Sequence, residues 1–231
     1  MNARMPSSSA GANTGTNASA PRTVASSAVR FVDCTRLAPE PWANGDGTTL
    51  TVARGDGQQA DQRAAAPWRV SIATLDGPAK FSQFPGYDRT LLPIDDAAFD
   101  LHSQDGQLPV HSGQPVHFSG DLHVWVNPHA QPLKVLRVLN VMTKRGTCRA
   151  HVSVVSHSLR VTPAATHLLL SLAGQWHVES ALLHGVTLAP LNALWLGGRP
   201  EELALRTSDP GAQLVSIAIE TLASNTEGFR P

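Results

Sequence analysis

Residues Trp68 to Leu75 alternate Trp68, Val70 and Ile72 against Arg69, Ser71 and Ala73. A period of two belongs to a strand with one face on a core and the other facing something polar. Leu122 to Val126 and Ala212 to Leu222 read the same way. Lys134 to Met142 predicts a longer strand on which Leu136, Val138, Asn140 and Met142 share a face. Asp76-Gly-Pro78, Pro85-Gly86, Asp105-Gly106, Ser112-Gly113, Ser119-Gly120, Gly197-Gly198 and Asp209-Pro-Gly211 punctuate these runs with turn chemistry. No convincing amphipathic helix exceeds about three turns. The expected class is all-β, a sandwich or barrel of many short strands.

An internal echo bears on domain organisation. Phe99 precedes Phe118 by 19 residues, Trp176 precedes Trp195 by 19, and the two pairs are offset by 77. A duplication of this kind predicts two stacked β-barrels or jelly rolls. The expected domains are 29–148 and 149–224, flanked by tails at 1–28 and 225–231. The first 28 residues are mostly Ser, Ala, Thr, Asn and Gly and hold no acid or aromatic side chain. Such a segment buries too little apolar surface to offset the entropy of ordering it. It also lacks the apolar stretch of a secretory signal, and the expected location is cytoplasmic.

Composition narrows the function. Eighteen basic residues balance eighteen acidic ones among 231. That balance argues against a general nucleic-acid or membrane-surface partner, each of which needs a basic excess. No uninterrupted window of eighteen apolar residues predicts a transmembrane helix. Two cysteines, Cys34 and Cys148, exclude a disulfide framework and a cysteine-based zinc site, and buried free thiols are expected.

Four blocks carry a family resemblance. They are Pro41-Trp-Ala-Asn-Gly-Asp-Gly-Thr-Thr49, Trp68-Arg-Val-Ser-Ile-Ala73, Phe81-Ser-Gln-Phe-Pro-Gly-Tyr-Asp-Arg-Thr-Leu91 and Leu139-Asn-Val-Met-Thr-Lys-Arg-Gly146. In this order they resemble the HutD/Ves family. The resemblance implies a bicupin with little helix, an association with bacterial histidine utilisation, and binding of a small acid of that pathway. The family's Lys after Trp is Ala43 here, and its second Gly is Asp46, which makes this loop less cationic. Bicupins are often dimers, so the resemblance leaves a homodimer open.

Candidate chemistry follows from residue types. None of the ten histidines forms the His-x-His pair with which cupin enzymes hold a metal, so no metal or other cofactor is expected. His111, His117, His123 and His129 recur every six residues, but Gly and Pro break the stretch into separate strands. No Gly-x-Ser-x-Gly nucleophile turn occurs, and Asp95 and Asp96 read as solvated turn residues. What remains is a binding pocket for a small carboxylic acid. Arg69 and Ser71 share one strand face, and Asn140 and Met142 share another. Arg89 and Arg145 add fixed charge, while Trp42, Asn44 and Phe84 supply walls and a loop amide. Arginine forks bind carboxylates bidentately, and an amide both donates and accepts. Structural readings stand beside these: Arg69 paired with Asp88, Trp42 plugging a barrel end, Met142 in the core, Arg145 solvated, and Asn140 satisfying a buried network. The expected function is non-catalytic, regulatory binding of urocanate or an N-substituted glutamate. The alternative is a metal-independent isomerase or hydrolase acting on a small acid.

Overall fold

The computed structural model describes residues 28–55, 66–95, 98–128, 135–198 and 201–222. The expected tails therefore lie outside it, except that Ala28 already belongs to a strand. Asp96 and His129 also lie outside the described residues. The strands are β1 (Ala28–Asp33), β2 (Glu40–Pro41), β3 (Gly47–Arg54), β4 (Trp68–Leu75), β5 (Ala79–Phe81), β6 (Tyr87–Pro93), β7 (Phe99–Ser103), β8 (Gly106–Val110), β9 (Val116–Ser119) and β10 (Val124–Pro128). They continue as β11 (Leu136–Lys144), β12 (Cys148–Val155), β13 (Leu159–Val161), β14 (Thr166–Ala173), β15 (Trp176–Glu179), β16 (Val186–Leu188), β17 (Asn192–Gly197), β18 (Leu203–Arg206) and β19 (Gln213–Thr221). Helix among the described residues is limited to one 3-10 turn, Cys34–Arg36. The chain is all-β.

Four open sheets result. A six-stranded sheet, β2-β3-β4-β11-β6-β9, faces a four-stranded one, β5-β10-β7-β8. A five-stranded sheet, β1-β17-β14-β19-β12, faces another four-stranded one, β13-β18-β15-β16. Adding eight to each label converts β4-β11-β6-β9 into β12-β19-β14-β17, and β5-β10-β7-β8 into β13-β18-β15-β16. The two halves therefore repeat one topology.

The aromatic echo is half structural. Phe99 and Trp176 open equivalent strands, β7 and β15, and both are fully buried. Phe118 and Trp195 also sit on equivalent strands but face opposite sides. Phe118 packs on the core inside the first half, Trp195 on the core between the halves. Strand β1 departs from the expected boundary at residue 29. It pairs antiparallel with β17, Val29 opposite Leu196, and so joins the second half's sheet. Its alternation shows that it is a strand but does not name its neighbour.

The core between the two large sheets explains the alternation of β4. Trp68, Val70 and Ile72 pack there with Leu139 and Val141 against Val152, Leu168, Leu170, Val215 and Ile217. Burying each such side chain is worth about 1.5–3 kcal/mol. The opposite face of β4 and β11 looks into the first half. Ala73, Leu75, Leu136 and Val138 there join Phe81, Phe99, Leu101 and Val126 in a second core. That core ends, moving along the strands, at Ser71, Asn140, Arg69 and Arg89. The candidate site begins where it stops.

Both cysteines are buried and free. Cys34 opens the 3-10 turn that follows β1. Burial, helped by the Asp33 charge, pushes its thiol up to about 11, which keeps it protonated and inert at neutral pH.

Candidate functional site

Cross-strand register brings the predicted residues together. Asn140 lies opposite Ser71 on one side and Leu91 on the other, and Met142 lies between Arg69 and Arg89. The pairs expected on two separate strand faces therefore form one surface, because β4, β11 and β6 are adjacent. It lines a cleft of about 190 Å³ at the mouth of the first half.

Arg89 is the centre of this surface. Only 2% of it is exposed. Its Nε donates to Asn140 Oδ1 at 3.4 Å, and Nη1 donates to the Ser82 carbonyl at 3.1 Å. The rings of Phe81, Phe84 and Phe118 lie 5.1, 5.4 and 5.1 Å from its guanidinium carbon. Aromatic faces attract a cation but do not neutralise it. Burial, reinforced by the like charge of Arg69, pulls the Arg89 pKa down to about 10.

Arg69 stands beside it with Phe84 5.5 Å from its guanidinium carbon. Its Nη2 donates to Met142 Sδ at 3.6 Å. Its Nε is buried and has no partner among the described residues. Burial lowers its pKa, opposed by the Glu40 and Tyr87 charges. Neither guanidinium forms an ion pair among the described residues. Asp88, the partner considered for Arg69, is paired with Arg145 instead.

Trp42 closes one wall. Its Nε1 donates to Thr49 Oγ1 at 2.8 Å, and its ring tilts onto Phe81 at 5.3 Å. Phe84 closes the other wall. Its segment is fixed by Phe84 N–H to the Gly120 carbonyl, Tyr87 N–H to the Phe84 carbonyl, and Gly120 N–H to the Tyr87 carbonyl. Gly120 is required there, since a Cβ would stand 2.5 Å from the Phe84 oxygen. Gly86 turns the same segment at φ +79°, a conformation that glycine adopts at little cost.

Four predicted site residues do not reach the cleft. Asn44 bonds Asp46 and the Lys80 carbonyl, so its amide holds its own loop together. Arg145 is half-exposed and saturated by Asp88, Asp121, Ser119 and the Tyr87 carbonyl. It fastens turns outside the cleft. Ser71 and Met142 lie below the lining: Ser71 Oγ donates to the Asn140 carbonyl at 3.5 Å, and the Met142 sulfur supports Arg69. The cleft wall also includes Glu40, Pro41, Ala43, Thr49, Ala73, Phe81 and Ser82, which the sequence pattern does not single out as site residues. All of them except Glu40 lie within the four blocks that carry the family resemblance. Phe118, the third ring on Arg89, was in view as part of the echo.

The second half carries a register-equivalent set in place of these residues. His151 and His167 flank Ala218 as Arg69 and Arg89 flank Met142, and Ser153 and Leu169 flank Ser216 as Ser71 and Leu91 flank Asn140. His167 Nδ1 accepts from the Ala164 N–H at 3.2 Å, so Nε2 carries the proton and donates to Ser216 Oγ at 2.9 Å. Burial holds its pKa down at about 4. Both ring nitrogens are thus satisfied internally.

Among the described residues no three His, Cys, Asp or Glu side chains converge as metal ligands would. His177 meets Thr187, Glu179 pairs with Arg206, and His117 meets Thr90. Asp95, expected in solvent, is paired with Arg137. No helix among the described residues is long and apolar enough to cross a membrane.

A family model described as HutD matches residues 35–215. The chain is 26% identical over 201 residues to Protein Ves of Citrobacter koseri, covering 86% of this chain and 97% of that protein. Among solved structures, a conserved protein of unknown function from Pseudomonas aeruginosa PAO1 superposes with a TM-score of 0.74 at 23% identity, over 84% of this chain and 99% of the other. HutD from Pseudomonas fluorescens SBW25, solved in a formate condition, gives 0.71 at 22% over 85% and 100%. A cupin 2 conserved barrel domain protein from Leptotrichia buccalis gives 0.53 at 9% over 83% and 96%. These likenesses place the fold among cupins.

Proposed function

Because the chain belongs to the HutD family, we propose that it is a bicupin whose first half binds a small carboxylic acid without turning it over. Each half, a large sheet facing a small one, reads as one cupin barrel of that pair. The carrying observation is Arg89, buried to 2% exposure with no carboxylate partner among the described residues. An uncompensated buried cation is unfavourable, and an anionic ligand supplies the missing charge. Arg69 adds a second guanidinium with an unpartnered Nε, and Trp42 and Phe84 provide apolar walls for a flat ligand.

The binding reading is favoured over the metal-independent enzyme by what lines the cleft. Its described lining includes one carboxyl group, Glu40, and no His, Cys or Lys. General acid–base catalysis needs a proton-transferring group held at the reacting atom. Urocanate and N-substituted glutamates of histidine degradation are the acids the family association brings forward, and a regulatory role follows from binding without turnover.

A thermal-shift panel on the full chain tests this reading. Its members are urocanate, N-formylglutamate, glutamate and histidine, with a divalent-metal series and a chelator control. A ligand at about 100 times its Kd stabilises by about 2.7 kcal/mol, which for a chain of this size is a shift of about 5–10 °C. The expected result is a shift with at least one of the acids that disappears in Arg89→Met. No shift with any acid, or a shift that survives in Arg89→Met, would overturn the assignment.

A further inference from the structure

A second cavity opens on the reverse face of the six-stranded sheet. Its volume is about 470 Å³, more than twice that of the cleft around Arg89. Successive residues of a strand point to opposite faces. Arg89 therefore sends its guanidinium into the first half, while Thr90 beside it on β6 lines this cavity. Thr143 of β11 lies opposite Trp68, whose ring belongs to the core between the halves. Cys148, Arg149 and Ala150 of β12, with Leu222 after β19, close the cavity from the second half. Its polar groups are only partly used. Thr143 is 4% exposed, and its hydroxyl has no hydrogen-bond partner among the described residues. Thr90 Oγ1 meets His117 Nδ1 at 2.8 Å, which leaves His117 Nε2 open. Arg149 forms no ion pair among the described residues, although Glu220 is opposite it in register. The one carboxylate in the described lining, Asp88, is taken up by Arg145 Nε at 3.0 Å.

We infer that this cavity is a second ligand site, which binds a phosphate group, free or carried on a small organic body, through Arg149, Thr143 and the Thr90–His117 pair. The four side chains come from four strands, β12, β11, β6 and β9. Donors converging from separate strands suit the tetrahedral oxygens of a phosphate better than one planar carboxylate. An arginine fork and hydroxyl donors are the usual chemistry of such a site. A phosphate oxygen at His117 Nε2 places the ring proton there, and Nδ1 then accepts from the Thr90 hydroxyl. The cavity offers a flat ring little: the phenyl ring in its described lining is that of Phe118, which packs on Arg89 and the core of the first half. The volume falls within the range of about 300–1,000 Å³ usual for small-molecule sites. This site is separate from the carboxylate cleft and does not depend on that reading.

The test is phosphorus NMR titration of the full chain at neutral pH and fixed ionic strength, with inorganic phosphate and with glycerol 3-phosphate. Both should bind, and the tighter of the two shows whether the site takes the free anion or an ester. Arg149→Gln should weaken binding about tenfold or more, as for a lost charged hydrogen bond. Thr143→Val keeps the side chain's shape without its hydroxyl and should weaken binding about three- to tenfold, while Thr143→Ser restores it. Arg89→Met, which strips the first-half cleft of its central cation, should bind phosphate as the native chain does. Absence of binding by the native chain would overturn the inference. So would binding that survives in both Arg149→Gln and Thr143→Val. Loss of binding in Arg89→Met alone would place the anion in the first-half cleft and overturn it as well.

Discussion

Replacing Arg89 by methionine should remove ligand binding while leaving the protein as stable as before, or more so. Burial, with the like charge of Arg69 beside it, pulls the Arg89 pKa well below the ordinary guanidinium value, to about 10. At about 1.36 kcal/mol per pKa unit, that is about 3 kcal/mol of unfavourable work to keep it charged in the folded chain at neutral pH. Methionine removes the charge and keeps most of the apolar stem, which packs among Phe81, Phe84 and Phe118. The opposing loss is the donor to Asn140 Oδ1 and to the Ser82 carbonyl. Leaving buried acceptors unpaired costs about 1–3 kcal/mol, and the open cleft lets water reach part of that surface. The net expectation lies between no change and about 2 kcal/mol of added stability, a rise in Tm of up to about 6 °C. Equilibrium denaturant unfolding measures it, and calorimetric titration with the ligand found in the panel measures binding. A loss of stability above about 2 kcal/mol would refute the reasoning, because Arg89 would then be holding the fold together rather than waiting for an anion.

Arg145→Ala should leave ligand Kd within about twofold of the native value, since its partners lie outside the cleft and solvent screens exposed pairs; calorimetry decides it, and a tenfold loss would return Arg145 to the site. Gly120→Ala should weaken binding by about tenfold or more, because the added Cβ meets the Phe84 and Tyr87 carbonyls at 2.5 and 2.8 Å and must push the Phe84 wall aside; Kd and the near-ultraviolet spectrum report it. His167 makes stability depend on pH. Its folded pKa of about 4 lies below the ordinary value of about 6.5, so the unfolded chain takes up the proton first. This contribution is complete above about pH 6.5 and falls by about 3 kcal/mol as pH drops toward 4. Urea unfolding at pH 7 and 4.5 should show a smaller drop in His167→Gln than in the native chain, and equal drops would contradict the assignment.

Period-two alternation located β4, β11 and β19 closely, since each has one face on the core between the sheets and the other on a different environment. Alternation says which side chains share a face of one strand, and nothing about which strand lies alongside. Arg69 with Ser71 and Asn140 with Met142 were therefore legible as pairs, but their union was not. The same gap hides the pairing of β1 with β17. Asn44 and Arg145 read as site residues because polar side chains beside glycine loops look available; each is taken up by turn and loop hydrogen bonds whose partners, Lys80 and Asp121, are distant in sequence. Glu40 lacked any sequence signal, because a two-residue edge strand shows no periodicity.

Strand β1 leads the described chain yet hydrogen-bonds to β17, the third strand from the end of the second repeat. During synthesis its edge must wait while nearly all the intervening chain emerges, and only then can Val29 meet Leu196. Contacts so distant along the chain form late, because loop closure is entropically costly before they repay it. The first of the described strands is thus among the last to be placed. The first repeat can order its own sheets ahead of it, and β1 then acts as a clasp that ties completion of the second repeat to a strand lying ahead of the first.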